Sequence, residues 1–128
     1  ALLLAGESAL MKASGEIALT LAMPLLAART LVTIRFQPGQ TVNQLREQLD
    51  STTPTFARII GDLNKQGLIE RRKSESGDRR TRQLYLSLEG KRVTDPAAIS
   101  MRDRLRRAYR AAGSGAVGGV RSVLEALL

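Results

Sequence analysis

A mainly α-helical domain with one small β-hairpin is the fold class this sequence predicts, and three observations carry that expectation. Apolar residues recur at helical spacing through most of the 128 residues. Only "LIERRK" and "RQLYLSL" read as strands, with a short Ser-Glu-Ser-Gly-Asp tip between them. Helix starts are marked by Thr, Asp and Ser at positions that can satisfy free backbone amides.

Composition narrows the function classes. The length suits one domain over residues 1–128 with a modest core. Hydrophobic residues make up 43% of the chain but aromatics only 3%, so Leu, Ile, Val and Ala must fill that core. The formal charge is +8, which implies a polyanionic partner, nucleic acid ahead of an anionic membrane. There is no Cys and no His. That removes disulfides, thiol chemistry, the usual zinc sites and the side chain best suited to proton transfer near neutral pH. No hydroxyl or carboxylate has a visible base partner, so no catalytic residue, metal or cofactor is expected. The longest uncharged run near the start, Ile17 to Ala28, is too short to span a bilayer, and no signal peptide pattern is evident. A cytoplasmic protein is expected.

The elements follow in order. Residues 1–14 read as a helix that Gly15 interrupts. Thr20 caps a second helix with Pro24 in its first turn, carrying Leu21, Leu25, Leu26, Leu31 and Val32 and fading near Arg35. The Pro-Gly pair in "FQPGQ" makes a turn. In "TVNQLREQL", Thr41 and Gln44 have the spacing of a capping box, and Val42, Leu45 and Leu49 form one buried stripe. Next, Thr53 is expected as a cap with Pro54 at the first helical position. Phe56, Ile59, Ile60 and Leu63 face inward there; Thr55, Arg58, Asp62 and Lys65 face outward. Gly67 sits where a helix stops in the left-handed conformation. The hairpin then places Leu84, Leu86 and Leu88 on one side, and Ser87 caps the following helix. Pro96 either kinks that helix or starts a new one with Asp95 as its cap. Ala98, Met101, Leu105, Ala108 and Ala112 form a packing seam, "GSGAVGG" breaks the chain, and Val120 to Leu127 suggest a last amphipathic helix.

Two capped helices joined by a short turn, then a hairpin, make a winged helix-turn-helix. A helix fits the major groove, its outer face reaches base edges, and its N-terminal amides favour phosphate. Thr41, Thr53, Thr55, Arg58 and Lys65 are the expected contacts from the helices, and Lys73, Arg79, Arg80 and Arg82 from the hairpin.

The stretches "TVNQLREQLDSTTPTFARIIGDLNKQGLIERR" and "DRRTRQLYLS" resemble the MarR family of bacterial transcription regulators. The family signature of Asp, any residue, Arg, five residues, Leu and Thr is met by Asp78, Arg80, Leu86 and Ser87, with Ser in place of Thr. The resemblance spans roughly residues 20–93. It implies a homodimer whose terminal helices, 1–19 and 94–128, form the interface, and whose winged regions, 20–93, read a pseudo-palindromic operator in double-stranded DNA, more as a repressor than an activator. It further implies that Arg80 enters the minor groove with Asp78 supporting it. A small aromatic or phenolic acid as effector is also implied, with no pocket assigned by residue. Ala57 departs from the Thr that relatives often carry.

Plainer readings stand beside these. The hairpin cations fit a solvated loop, and Arg58 and Asp62 fit an i, i+4 ion pair. Arg102, Arg104, Arg106, Arg107 and Arg110 read as a solvated face around the seam. A winged helix can also serve as a protein-interaction or adaptor module without specific DNA readout.

Overall fold

A computed structural model describes residues 2–73 and 82–112. The order is α1 (Leu2–Leu21), α2 (Leu25–Phe36), β1 (Gln40–Thr41), α3 (Val42–Gln48), α4 (Thr53–Lys65), β2 (Ile69–Lys73), β3 (Arg82–Leu86) and α5 (Leu88–Ala112). The expected class of a mainly helical fold with a hairpin is what forms. The two terminal pieces of the sequence reading, the Gly-rich break and the last helix, lie outside the described residues.

The first helix does not stop at Gly15. It runs through to Leu21, because Ala9, Ala13 and Ile17 are buried on one face and their packing outweighs the roughly 1 kcal/mol that a mid-helix glycine costs. The break falls later than expected. Ala22 takes a left-handed φ of 52°, and the Met23 amide donates to the Ala18 carbonyl at 3.0 Å, closing the helix end. Thr20 is therefore inside α1 and caps nothing; Pro24 occupies the cap position of α2. Leu21, expected in the second helix, is the last residue of α1, and Leu21 and Leu25 are both exposed at this corner.

The capping box at α3 forms as read: the Gln44 amide donates to Thr41 Oγ1 at 3.2 Å, and the Thr41 amide donates to Gln44 Oε1 at 2.9 Å. Asp50 closes α3 in a left-handed conformation, φ 53°, with the Ser51 amide on the Arg46 carbonyl. That tight exit lets α4 start within a few residues. Its cap is Thr52 rather than Thr53, and Pro54 is the second helical residue. The shift is one residue; Pro is equally harmless there because its missing N–H lies among those with no intrahelical partner.

The two residues of β1 were not legible as a strand. They pair with β3 to give an antiparallel sheet of order β1-β3-β2. Leu84 and Leu86 turn into the core, with Phe56, Ile60, Leu63, Leu45, Leu31 and Ile34. Leu88 does not join them. It opens α5, where the period changes from two to 3.6, and it stays 75% exposed.

A second layer packs α1 and α2 against α5 through small residues, Ala13, Ala28 and Ala97 with Ile17 and Val32, and through Ala9 with Met101 and Leu105. Ala98 is buried in α5 as well. Pro96 does not split α5, which is continuous past it. Its missing N–H and its ring disturb the hydrogen bonds one turn back. In that turn Arg35 Nη1 donates to the Lys91 carbonyl at 2.8 Å and pairs with Asp95 at 3.1 Å. Thr94, fully buried, donates to the Gly90 carbonyl at 2.9 Å. These bonds fall on the Gly90 and Lys91 carbonyls, just before the Arg92 carbonyl that Pro96 leaves without its helical donor, and the Arg35 contacts tie α2 to α5 beside the proline.

The glycines in α1 and α5 should respond in opposite directions. A Cβ at Gly15 meets nothing, so Gly15→Ala should raise stability by about 0.5–1 kcal/mol in urea unfolding. A Cβ at Gly90 would overlap the Leu68 carbonyl oxygen, so Gly90→Ala should cost about 1–3 kcal/mol in the same assay. Equal effects would contradict this packing.

Candidate nucleic-acid interface

Helix α4 buries Phe56, Ile59, Ile60 and Leu63, which fixes its roll about its own axis. Thr53, Thr55, Arg58, Asp62 and Lys65 are consequently exposed. The i, i+4 pair between Arg58 and Asp62 does not form; among the described residues neither side chain makes an ion pair or hydrogen bond. The guanidinium of Arg58 is free to meet a ligand. No side chain caps the N-terminus of α4, and the first amide bonded to the cap carbonyl is that of Phe56, at 3.0 Å. The Thr53 and Thr55 amides therefore remain donors at the positive end of the helix.

Thr41 has a different position. Its hydroxyl oxygen accepts from the Gln44 amide, so its first task is to start α3; its O–H remains able to donate outward.

The hairpin leaves its described arms well ordered in register. Ile69 pairs with Leu86, Arg71 with Leu84, Arg72 with Gln83, and Lys73 with Arg82. Lys73 and Arg82, both exposed, thus stand directly opposite each other. Facing like charges destabilise a hairpin by a few tenths of a kcal/mol or more. Asp78, Arg79 and Arg80, expected at the tip, lie outside the described residues.

Two cations on β2 escaped the sequence reading as site residues. Arg71 shares the Lys73 face by the two-residue period. Arg72, on the other face, lies 4.3 Å from the centroid of the Tyr85 ring and 3.1 Å from Glu70, which holds it against the sheet. The register of Ile69 as the inward residue was the signal that could have separated them. Along α5, Arg106, Arg107 and Arg110 are exposed and Arg102 and Arg104 half-buried.

One groove was not foreseen. Leu10, Met11 and Ser14 of α1, Arg29, Val32 and Thr33 of α2, and Gln48 and Leu49 at the end of α3 line a space of about 340 Å³. Its only charged liner is Arg29. The hydroxyls of Ser14 and Thr33 donate to carbonyls of their own helices, both at 2.7 Å, leaving their oxygens as acceptors. Among the described residues no group of acidic side chains could hold a metal, and no helix is long and apolar enough to cross a membrane.

A capped helix, a short turn, a second helix with an open polar face, and a charged antiparallel hairpin define a winged helix-turn-helix protein. Residues 22–80 match the family model of the MarR family. The HTH-type transcriptional regulator PetP of Rhodobacter capsulatus is 38% identical over 100 residues, which cover 78% of this chain and 60% of that protein. The chain therefore aligns with less than two thirds of that relative's length. Over residues 22–80 the chain is similar to the MarR family. Among solved structures, NadR in complex with 4-hydroxyphenylacetate has a TM-score of 0.62 at 20% identity, covering 98% of this chain and 88% of NadR. A mutant of MepR from S. aureus bound to an oligodeoxyribonucleotide has a TM-score of 0.59 at 20% identity, covering 93% and 90%. These two likenesses speak to the fold.

The opposed cations give a direct check. Lys73→Glu turns a repulsive cross-strand pair into an attractive one and should stabilise the unliganded protein by about 0.5 kcal/mol at low salt. The gain should shrink at 1 M salt, where screening acts over about 3 Å. A loss of stability at low salt would mean that the register is wrong.

Proposed function

We propose that this chain is a sequence-specific transcriptional regulator that binds double-stranded DNA as a homodimer. The carrying observation is the exposed face of α4, where Thr55, Arg58 and Lys65 have no side-chain partner among the described residues, beside a hairpin whose Lys73 and Arg82 repel each other. A polyanion relieves that repulsion. Arg58 has the fork geometry that suits guanine O6 and N7, and Thr53 and Thr55 add amides aimed at phosphate. The family resemblance gives Arg80 the minor-groove contact with Asp78 supporting it, and Arg79 is a further cation for DNA. Thr41 contributes a hydroxyl at the start of α3.

Dimerisation is assigned to residues 1–19 and 94–128, and DNA binding to 20–93. Exposed apolar side chains on the terminal helices, Leu19 at 86% and Ile99 at 51%, support a covered surface there. Two copies then present two α4 helices to half-sites about one turn apart, roughly 34–36 Å. The regulator is read as a repressor released by a small aromatic or phenolic acid. The groove between α1, α2 and α3 supports that reading: it has the size for one such molecule, apolar walls and Arg29 for a carboxylate.

Salt and sequence separate the contributions. Arg82→Ala should weaken binding to all duplexes and lower the slope of log affinity against log salt by about one. Arg58→Ala should instead cost about 1–3 kcal/mol on the preferred site and little on unrelated duplexes. Binding that is salt-independent and unchanged in both variants would overturn the DNA reading in favour of a protein-interaction module.

A further inference from the structure

Asp62 is the only acid in α4, and it lies on the same exposed line as Thr55, Arg58 and Lys65. Several other acids in the described residues have a neighbouring cation: Glu70 with Arg72 at 3.1 Å, Asp95 with Arg35 at 3.1 Å and Glu89 with Arg92 at 3.3 Å. Asp62 has two cations within one helical turn, Arg58 four residues before it and Lys65 three after, and pairs with neither. Its carboxylate is therefore left facing whatever α4 faces.

A free carboxylate on a surface that meets a polyanion carries a cost. It repels phosphates and the O6 and N7 acceptors of guanine. In the major groove it can accept only from an amino group, and the pairing that fits Asp is the cytosine N4 amine. We propose that Asp62 is a specificity-determining residue that accepts a hydrogen bond from cytosine N4 and rejects guanine at the same position. This rests on the DNA-binding reading above. Helix geometry sets its place: four residues separate Arg58 from Asp62, about 6 Å along the axis. That equals about two base-pair steps of roughly 3.4 Å. The selected cytosine therefore lies about two base pairs from the guanine that Arg58 reads.

The test is selection of bound duplexes from a random pool with the wild-type chain, Asp62→Asn, Asp62→Ala and Arg58→Ala in parallel. Circular dichroism should show all four folded, since both substituted side chains are exposed. The expected result is a wild-type site with a cytosine preference about two base pairs from the position that Arg58→Ala relaxes. Both Asp62 variants should lose that preference by about five-fold or more and bind unrelated duplexes more tightly. Unchanged preferences in both Asp62 variants would overturn the proposal while leaving DNA binding intact. So would a uniform gain in affinity at every sequence, because the carboxylate would then act as charge alone. A wild-type chain that enriches no sequence would overturn both readings together.

Discussion

The structure turns on the junction where α4, β2 and α5 meet. Gly67 ends α4 with a φ of +71°, and the Leu68 amide reaches back to the Leu63 carbonyl at 3.1 Å. The Ser87 amide donates to the Leu68 carbonyl at 3.0 Å, and its hydroxyl donates to the Gly67 carbonyl at 2.6 Å while accepting from the Gly90 amide at 3.0 Å. Gly90 allows α5 to touch the Leu68 backbone. One serine thus ends the turn after α4, positions the returning strand and starts α5. Remove that arrangement, and the angle between the α4 face and the hairpin is no longer determined.

That junction explains why surface groups can be spent on a partner rather than on folding. The core beneath α4 and the sheet is closed by fully buried Phe56, Leu45, Leu63 and Leu84. The exposed side of α4 and the ends of β2 and β3 contribute little to it. Charges there are arranged against the stability of the free protein: Lys73 faces Arg82, and Asp62 goes unpaired beside Arg58. Departures from local optimum at solvent-facing positions of an otherwise consistent fold mark where a partner acts.

Much of this was legible in the sequence, because the residues concerned act locally. Thr41 with Gln44, Gly67, Ser87, and the inner faces of α4 and β3 each declare themselves within a few positions. What failed depended on contacts distant along the chain. Gly15 reads as a stop, but burial of Ala13 and Ile17 against other helices carries α1 past it. Pro96 reads as either a kink or a new start, and local sequence does not decide; α5 runs on past it while packing against α1 and α2. Leu88 continues an alternation that the start of α5 cancels. The two-residue β1 has no pattern of its own and exists because β3 offers Gln40 and Thr41 an edge. The groove beside Arg29 is assembled from three helices and leaves no trace in any one of them. Arg71 and Arg72 are told apart by the two-residue period counted from the inward Ile69.

The most direct measurement is a map of amide chemical-shift changes as a duplex from the enriched pool is added to isotope-labelled protein. Changes should concentrate at Thr53–Lys65 and at Lys73 and Arg82, with the α4 and hairpin signals moving together because one junction holds both. Changes centred instead on Arg106, Arg107 and Arg110 of α5, with α4 silent, would contradict it.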